Sequence, residues 1–122
     1  MLNPELQAAT QALALALRQS PPIAAFEEAQ ARLEQDQKAK ALLNRLREAQ
    51  RRYLDKQRHG GLTQADIDAV RQAQAAVQRH PTVIAYGQAL QVAQAFLPEV
   101  NLEISQVLGF DFGALAAGPG SC

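Results

Sequence analysis

Residues 36–61, DQKAKALLNRLREAQRRYLDKQRHGG, decide the fold, because they predict one long helix with both ends marked. The Asp36 carboxylate can accept hydrogen bonds from the free N–H groups of a first helical turn. Gly60 and Gly61 mark the end, since glycine readily takes the left-handed conformation that closes a helix. A helix this long cannot bury its apolar stripe alone, so other helices must lie along it. The stripe recurs at alternating steps of four and three residues, at Ala39, Leu43, Leu46, Gln50, Tyr53 and Gln57.

Two helices are predicted before this stretch. Asn3 fits an N-cap and Pro4 fits the first helical position of a helix that ends near residue 18 or 19. The break falls at Pro21 and Pro22, since neither proline has an N–H and the second disfavours a helical conformation for the first. A second helix then runs from about residue 22 to residue 33 or 34.

A fourth helix follows the glycine pair. Thr63 can cap it, and Asp66 three residues later gives an Asp-for-Glu variant of the capping box. Because the connection is short, the helices 37–58 and 64–79 should form an antiparallel hairpin.

A fifth helix over residues 82–107 is predicted to pack alongside this hairpin. Pro98 interrupts its regular pattern, so this helix either bends or ends at residue 97 before a short sixth helix. We therefore predict an all-α fold, a five-helix antiparallel bundle with a long central helical hairpin, in a single domain of residues 1–108. Residues 109–122 are expected to be a flexible, glycine-containing C-terminal tail.

The composition predicts a thin core and a neutral protein. Hydrophobic residues make up 48% of the chain, but 24 residues are alanines, which bury little area each. The 12 basic residues balance the 12 acidic ones, so global charge favours neither nucleic acid nor an anionic membrane as a partner. No signal peptide or membrane span is evident in the sequence, and the one cysteine excludes an internal disulfide. We expect a cytoplasmic protein that does not associate with a membrane.

Several motifs follow one another along the chain: Leu33-x-x-Asp36, Gln50, Gly60-Gly61-Leu62-Thr63, His80-Pro81 with Ile84 and Tyr86, and Asn101-x-x-Ile104. In this order they resemble the YlbF/YmcA family of small bacterial helical proteins, over about residues 5–108. The resemblance implies an all-α fold with a long helical hairpin, and self-association. It also implies a regulatory adaptor in a complex that influences competence, biofilm formation and sporulation, and that acts on RNA processing through ribonuclease Y.

The basic residues concentrate in the central helix. Its net charge of +6 has two interpretations: a surface for RNA or an acidic partner, or a solvated face with intrahelical pairs such as Glu48–Arg52 and Asp55–Arg58. A nucleic-acid-binding helical module that uses the basic face of residues 38–58 is therefore the alternative function. One stripe of this face consists of Lys40, Arg47, Arg51 and Arg58, and the other consists of Lys38, Arg45, Arg52 and Lys56.

The apolar stripes predict a homodimer or a higher oligomer, because the thin core leaves them without enough cover inside one chain. Periodicity does not distinguish burial within a chain from burial between chains, so two sets of contact residues are candidates. They are Leu43, Leu46 and Tyr53 on the central helix, and Leu90, Leu97 and Ile104 on the fifth helix.

No pattern indicates a catalytic site or a cofactor. His59 and His80 lie at predicted helix ends without suitably spaced carboxylate or cysteine companions, so we assign them structural roles. Several members of the family have cysteine-containing tails that are linked to iron–sulfur clusters, and Cys122 is the one candidate metal ligand here. A cluster usually needs four cysteines or cysteines with histidines, so an unligated thiol is the preferred interpretation, and a disulfide between two chains formed on oxidation is the alternative. We predict a non-enzymatic regulatory adaptor without a cofactor.

Overall fold

The computed structural model describes residues 2–119, and over this range the chain forms six α-helices and no strand. The predicted all-α class with five long helices is thus confirmed. Contacts divide the chain into two compact units: residues 25–88, and the N-terminal 24 residues together with those from position 89 onward. The helices are α1 (Pro4–Gln19), α2 (Pro21–Gln35), α3 (Gln37–His59), α4 (Gln64–Arg79), α5 (Pro81–Leu108) and α6 (Phe112–Ala117).

Side chains that precede each helix account for where α1, α3 and α4 begin. The Asn3 side chain accepts from the backbone N–H of Leu6 at 2.8 Å, and the Asp36 carboxylate accepts from that of Ala39 at 3.0 Å. Thr63 caps α4 through a complete capping box with Asp66. Each cap satisfies N–H groups that have no partner within the helix, so these starts follow from local sequence.

The predicted hairpin of α3 and α4 is present, and a buried carboxylate closes it. Asp66 is only 6% exposed. Lys56, near the end of α3, donates to both of its oxygens at 3.0 Å. The backbone N–H and the hydroxyl of Thr63 donate to Asp66 Oδ2 at 3.0 and 2.8 Å. These bonds fix the first turn of α4 against the last turns of α3, and they compensate for burying a charge.

The core is thin, as the composition predicts. Among the described residues no large side chain is fully buried. Small side chains let helix backbones approach closely but bury little apolar area, so much of the large apolar surface stays exposed. The buried hydrophobic residues are Ala29, Ala39, Ala73, Val77 and Ala93.

α5 continues through Pro98 to Leu108, so the alternative of a helix that ends at residue 97 is not realised. A short helix, α6, follows in a segment for which the sequence predicted none. Six residues are too few for a helix to be stable alone. Side chains of α5 hold α6: the Ser105 hydroxyl accepts from the N–H of Phe112 at 2.9 Å, and Asn101 Oδ1 accepts from that of Gly113 at 2.7 Å.

The Asp66 carboxylate should make the stability of the hairpin depend on pH in the acidic range. Hydrogen bonds from Thr63 and then Lys56 lower the pKa of Asp66 from 3.8 to about 2. Since the pKa is lower in the folded chain, the stabilisation is complete above pH 3.8 and is lost as the pH falls through about 2. We expect Asp66→Asn to lower the midpoint of urea unfolding at pH 7, and the difference from the wild type to shrink between about pH 4 and pH 2.

Asp55→Asn is the matched control, because Asp55 is an exposed carboxylate on α3 with no ion pair in the described part of the chain. It should leave the midpoint nearly unchanged. An equal effect of the two variants at pH 7 would contradict the role given to Asp66.

Candidate protein-binding surfaces

One side of the α3–α4 hairpin carries an open apolar groove of 480 Å³. Tyr53, Ile67 and Val70 are half-buried in its floor, and Leu54 is 49% exposed. We call this the hairpin groove, and it is lined by Gln50, Tyr53, Leu54, Ile67, Val70, Arg71 and Gln74. An apolar concavity with polar edges is the kind of surface that receives a side-chain cluster of another molecule.

Exposed cations follow the edge of the hairpin groove. Residues three or four apart lie side by side on a helix, which places Arg47 beside Gln50, and Arg51 and Arg58 beside Leu54. Lys40 continues this stripe seven residues before Arg47. On α4, Arg71 lines the groove itself. We call these five residues the basic rim: Lys40, Arg47, Arg51, Arg58 and Arg71.

None of the five basic-rim residues forms an ion pair within residues 2–119, although Arg47 makes a long hydrogen bond of 3.4 Å to Asn44 Oδ1. All five are exposed. The expected intrahelical pairs Glu48–Arg52 and Asp55–Arg58 are not formed either. The charge of α3 is therefore available to a partner rather than neutralised on the helix.

The second predicted basic stripe lies on the other side of the hairpin. Arg45 and Arg52 line a more polar groove of 330 Å³ together with Glu48 and with Ala69 and Gln72 of α4. Lys56 leaves this stripe, since it turns to the buried Asp66. The two sides of α3 therefore differ: one joins cations to apolar surface, and the other mixes both signs of charge.

The structure separates the predicted interface residues by exposure. Leu97 is 46% exposed, so its surface is available to another chain. The others are half-buried, and among them Tyr53 lines the hairpin groove. Those half-buried residues are Leu43, Leu46, Tyr53, Leu90 and Ile104.

Other large apolar side chains are exposed on α1 and on the second half of α5. α1 contains no buried residue, and its Leu6 and Leu13, seven positions apart, are 48% and 41% exposed. On α5, Leu102 and Val107 are 57% and 88% exposed. Apolar side chains that recur exposed along a helix face, as Leu6 and Leu13 do, are typical of a site of association.

A polar cluster joins two helix junctions inside residues 25–88. Asp36 Oδ2 accepts from the Thr82 hydroxyl at 2.7 Å and lies 3.7 Å from His80 Nε2. The N–H of Ala39, and then the Thr82 hydroxyl, hold the pKa of Asp36 below its ordinary value. His80 Nδ1 accepts from the N–H of Thr82 at 3.3 Å. These contacts tie the start of α3 to the start of α5.

The carboxylate beside His80 was missed by the sequence analysis, because Asp36 and Thr82 are 46 positions apart. Their only sequence signals are helix-start signals, which say nothing about distant partners. The same holds for Lys56 and Asp66, ten positions apart, whose pairing requires the hairpin to be closed. His59, the last residue of α3, is exposed.

No three His, Cys, Asp or Glu side chains within the described residues are placed to hold a metal ion together. Cys122, the candidate ligand in the sequence, lies outside the described residues. Between residues 2 and 119 no helix is both long enough and apolar enough to cross a membrane.

Comparison with known proteins identifies the family. The family model described as "Control of competence regulator ComK, YlbF/YmcA" matches residues 6–108. This chain belongs to the YlbF/YmcA family. No curated protein matches the chain.

A solved structure shares the fold of this YlbF/YmcA chain. It is the X-ray crystal structure of Bacillus subtilis RicA in complex with RicF, which matches with a TM-score of 0.71 and 22% sequence identity. The match covers 88% of this chain and 96% of that one. The resemblance seen in the motifs is confirmed, and the match to the family model ends at residue 108, before α6.

The attachment of α6 gives a local prediction for this family member. A Cβ added at Gly113 would lie 2.8 Å from Asn101 Oδ1, too close for an unstrained contact, so the Asn101 side chain would have to move and would lose its hydrogen bond from the N–H of Gly113. We expect Gly113→Ala to raise the population in which α6 is detached from α5, by about fivefold for a loss of about 1 kcal/mol. Hydrogen exchange of the amides of residues 112–117 measures this population.

Gly87→Ala provides the control, because a Cβ at Gly87 meets nothing within 4 Å. Unchanged exchange in Gly113→Ala would show that Asn101 does not hold α6.

Proposed function

We propose that this protein is a non-enzymatic regulatory adaptor that works by binding other protein chains, copies of itself included, through exposed helix faces. The observation that carries the proposal is the apolar exposure of α1, in which no residue is buried. A monomer gains nothing from keeping such a face in water, whereas a partner helix would bury it. The membership of a family described by control of a competence regulator supports a regulatory role.

The solved relative gives further support. The RicA structure is a complex with a second protein, RicF. A chain with this fold can therefore present surfaces for protein partners. We propose by extension that the present chain acts within a regulatory complex that modulates RNA processing, and that it is found in the cytoplasm.

Disrupting the apolar face of α1 should weaken association without unfolding the chain. Leu6 and Leu13 are seven positions apart and share one face, so Leu6→Gln/Leu13→Gln removes two apolar contacts at once. Because Leu6 and Leu13 are both exposed within the chain, far-UV circular dichroism should remain helical. Light scattering at micromolar concentration should show an oligomer for the wild type and a smaller mass for the variant.

Leu15→Gln is the control, since Leu15 is 57% exposed and nine positions from Leu6, on the opposite face of α1. It should preserve the oligomer and the proteins that copurify from the native cell. A wild type that is monomeric and that retains no protein partner would contradict the proposed function.

The alternative function, nucleic-acid binding, is favoured by one observation: the exposed cations of α3 other than Lys56 have no ion pair in the described chain. Phosphate contacts release counterions, so affinity for RNA would fall steeply with salt. We expect only weak binding of a fluorescent single-stranded RNA, with little difference between the wild type and Arg47→Glu/Arg51→Glu. Tight, salt-sensitive binding that this variant abolishes would favour the alternative.

A further inference from the structure

The hairpin groove combines two features that restrict its occupant. Its floor is apolar, and its basic rim carries five cations that form no ion pair within residues 2–119. Asp55 lies beside Arg51 and Arg58, four and three positions away on α3, but it forms no ion pair with either of them. Glu48 lines the more polar groove on the other side of the hairpin. Within α4, Asp66 is buried against Lys56, and Asp68 accepts from Gln64 at 3.1 Å.

This arrangement disfavours a two-fold contact of one hairpin groove with another. Such a contact would place the basic rims of two copies opposite each other, and like charges across an interface are repulsive. An apolar floor with a cationic edge instead fits an amphipathic helix that carries acidic residues beside its apolar ones.

The chain itself contains such a helix. The sequence from position 80 onward has no lysine or arginine, and its acidic residues are Glu99, Glu103 and Asp111. Asp111 is engaged as the N-cap of α6, where it accepts from the N–H of Ala114 at 3.1 Å. Glu99 and Glu103 are exposed on α5 and have no ion pair within residues 2–119.

The spacing of these two carboxylates matches that of the basic rim. Glu99 and Glu103 are four positions apart on α5, and Arg47 and Arg51 are four positions apart on α3. Each pair therefore spans about 6 Å along its helix, so two ion pairs can form at once between helices that lie side by side. Leu102 lies next to Glu99 on the same side of α5 and is 57% exposed, which supplies an apolar side chain for the groove.

We propose that the hairpin groove of one copy binds the second half of α5 of another copy. Glu99 and Glu103 lie against Arg47 and Arg51, and Leu102 packs on Tyr53, Leu54 and Val70. This inference rests on the proposed function, since it assigns the surfaces through which the adaptor self-associates.

Charge reversal on both sides tests the contact. Arg47→Glu/Arg51→Glu makes the rim acidic, and Glu99→Arg/Glu103→Arg makes the docking helix basic. Each variant alone should self-associate at least about tenfold more weakly than the wild type, because like charges now meet at the interface. An equimolar mixture of the two should recover the wild-type affinity, since every groove then finds an α5 of opposite charge. Analytical ultracentrifugation at fixed ionic strength gives these affinities.

Arg45→Glu/Arg52→Glu is the matched control. It makes the same change in charge on the same helix, but on the side that faces Ala69 and Gln72. It should leave self-association close to that of the wild type. Circular dichroism and thermal unfolding of all variants verify that the reversed residues, which are exposed, have not changed the fold.

Three outcomes would overturn the inference. Equal loss in the control variant would indicate a non-specific effect of net charge. Failure of the mixture to recover affinity would show that the two surfaces do not meet. RNA binding that depends on Arg47 and Arg51, with self-association intact, would assign the rim to nucleic acid.

The inference and the proposed function can fail separately. If charge reversal has no effect while Leu6→Gln/Leu13→Gln still dissociates the oligomer, the hairpin groove is not the self-association site and the adaptor function stands. If the wild type is monomeric but retains other proteins from the native cell, the second copy is the wrong occupant and protein binding remains the function.

Discussion

The carboxylate of Asp66 fixes the geometry on which the rest of the hairpin depends. It is buried and accepts from Lys56 on α3 and from Thr63 at the start of α4. Breaking a buried charge pair is costly, so these bonds fix the orientation of α4 about its own axis. That orientation turns Ile67, Val70 and Arg71 toward the side of α3 that carries Tyr53 and Leu54. The hairpin groove is therefore a consequence of how the turn is closed.

The buried side chains of this chain are small, which explains why so many of its large apolar side chains are exposed. Four of the five buried hydrophobic residues are alanines, whereas Leu6, Leu102 and Val107 remain in contact with water. Alanine permits close helix approach and has high helix propensity, but it contributes little burial free energy. The helices are thus well formed while the large apolar side chains remain available. Such a chain is suited to completing its core with another chain.

Neutral net charge conceals a separation of charge along the sequence. The α3 helix carries +6, and the chain from position 80 onward carries only acidic formal charges. Composition reports only the zero sum of the whole chain, so it gives no information about how these segments complement each other. Electrostatic attraction between such segments acts mainly on the choice and orientation of partners, with apolar contacts supplying most of the affinity.

The sequence by itself determined the helices, because their starts and ends depend on neighbours in the chain. Each capping side chain accepts from a backbone N–H three residues later, and the caps are Asn3, Asp36 and Thr63 with Asp66. Gly60 ends α3 with a φ of 87°. The family could also be identified from the sequence, since its motifs are short stretches that follow one another in a fixed order.

Only the tertiary structure decided which side chains meet across longer separations. Asp36 and Thr82 are hydrogen-bonded across a sequence separation of 46 residues, and Asn101 and Gly113 across one of 12. No periodicity encodes either one. The short α6 was missed for the same reason, since its stability comes from α5 and not from its own six residues. The expected pairs of Glu48 and Asp55 with arginines did not form, because exposed ions three or four apart gain little by pairing in water. The packing of α4 on α3 therefore decided which of the unpaired cations lie beside apolar surface.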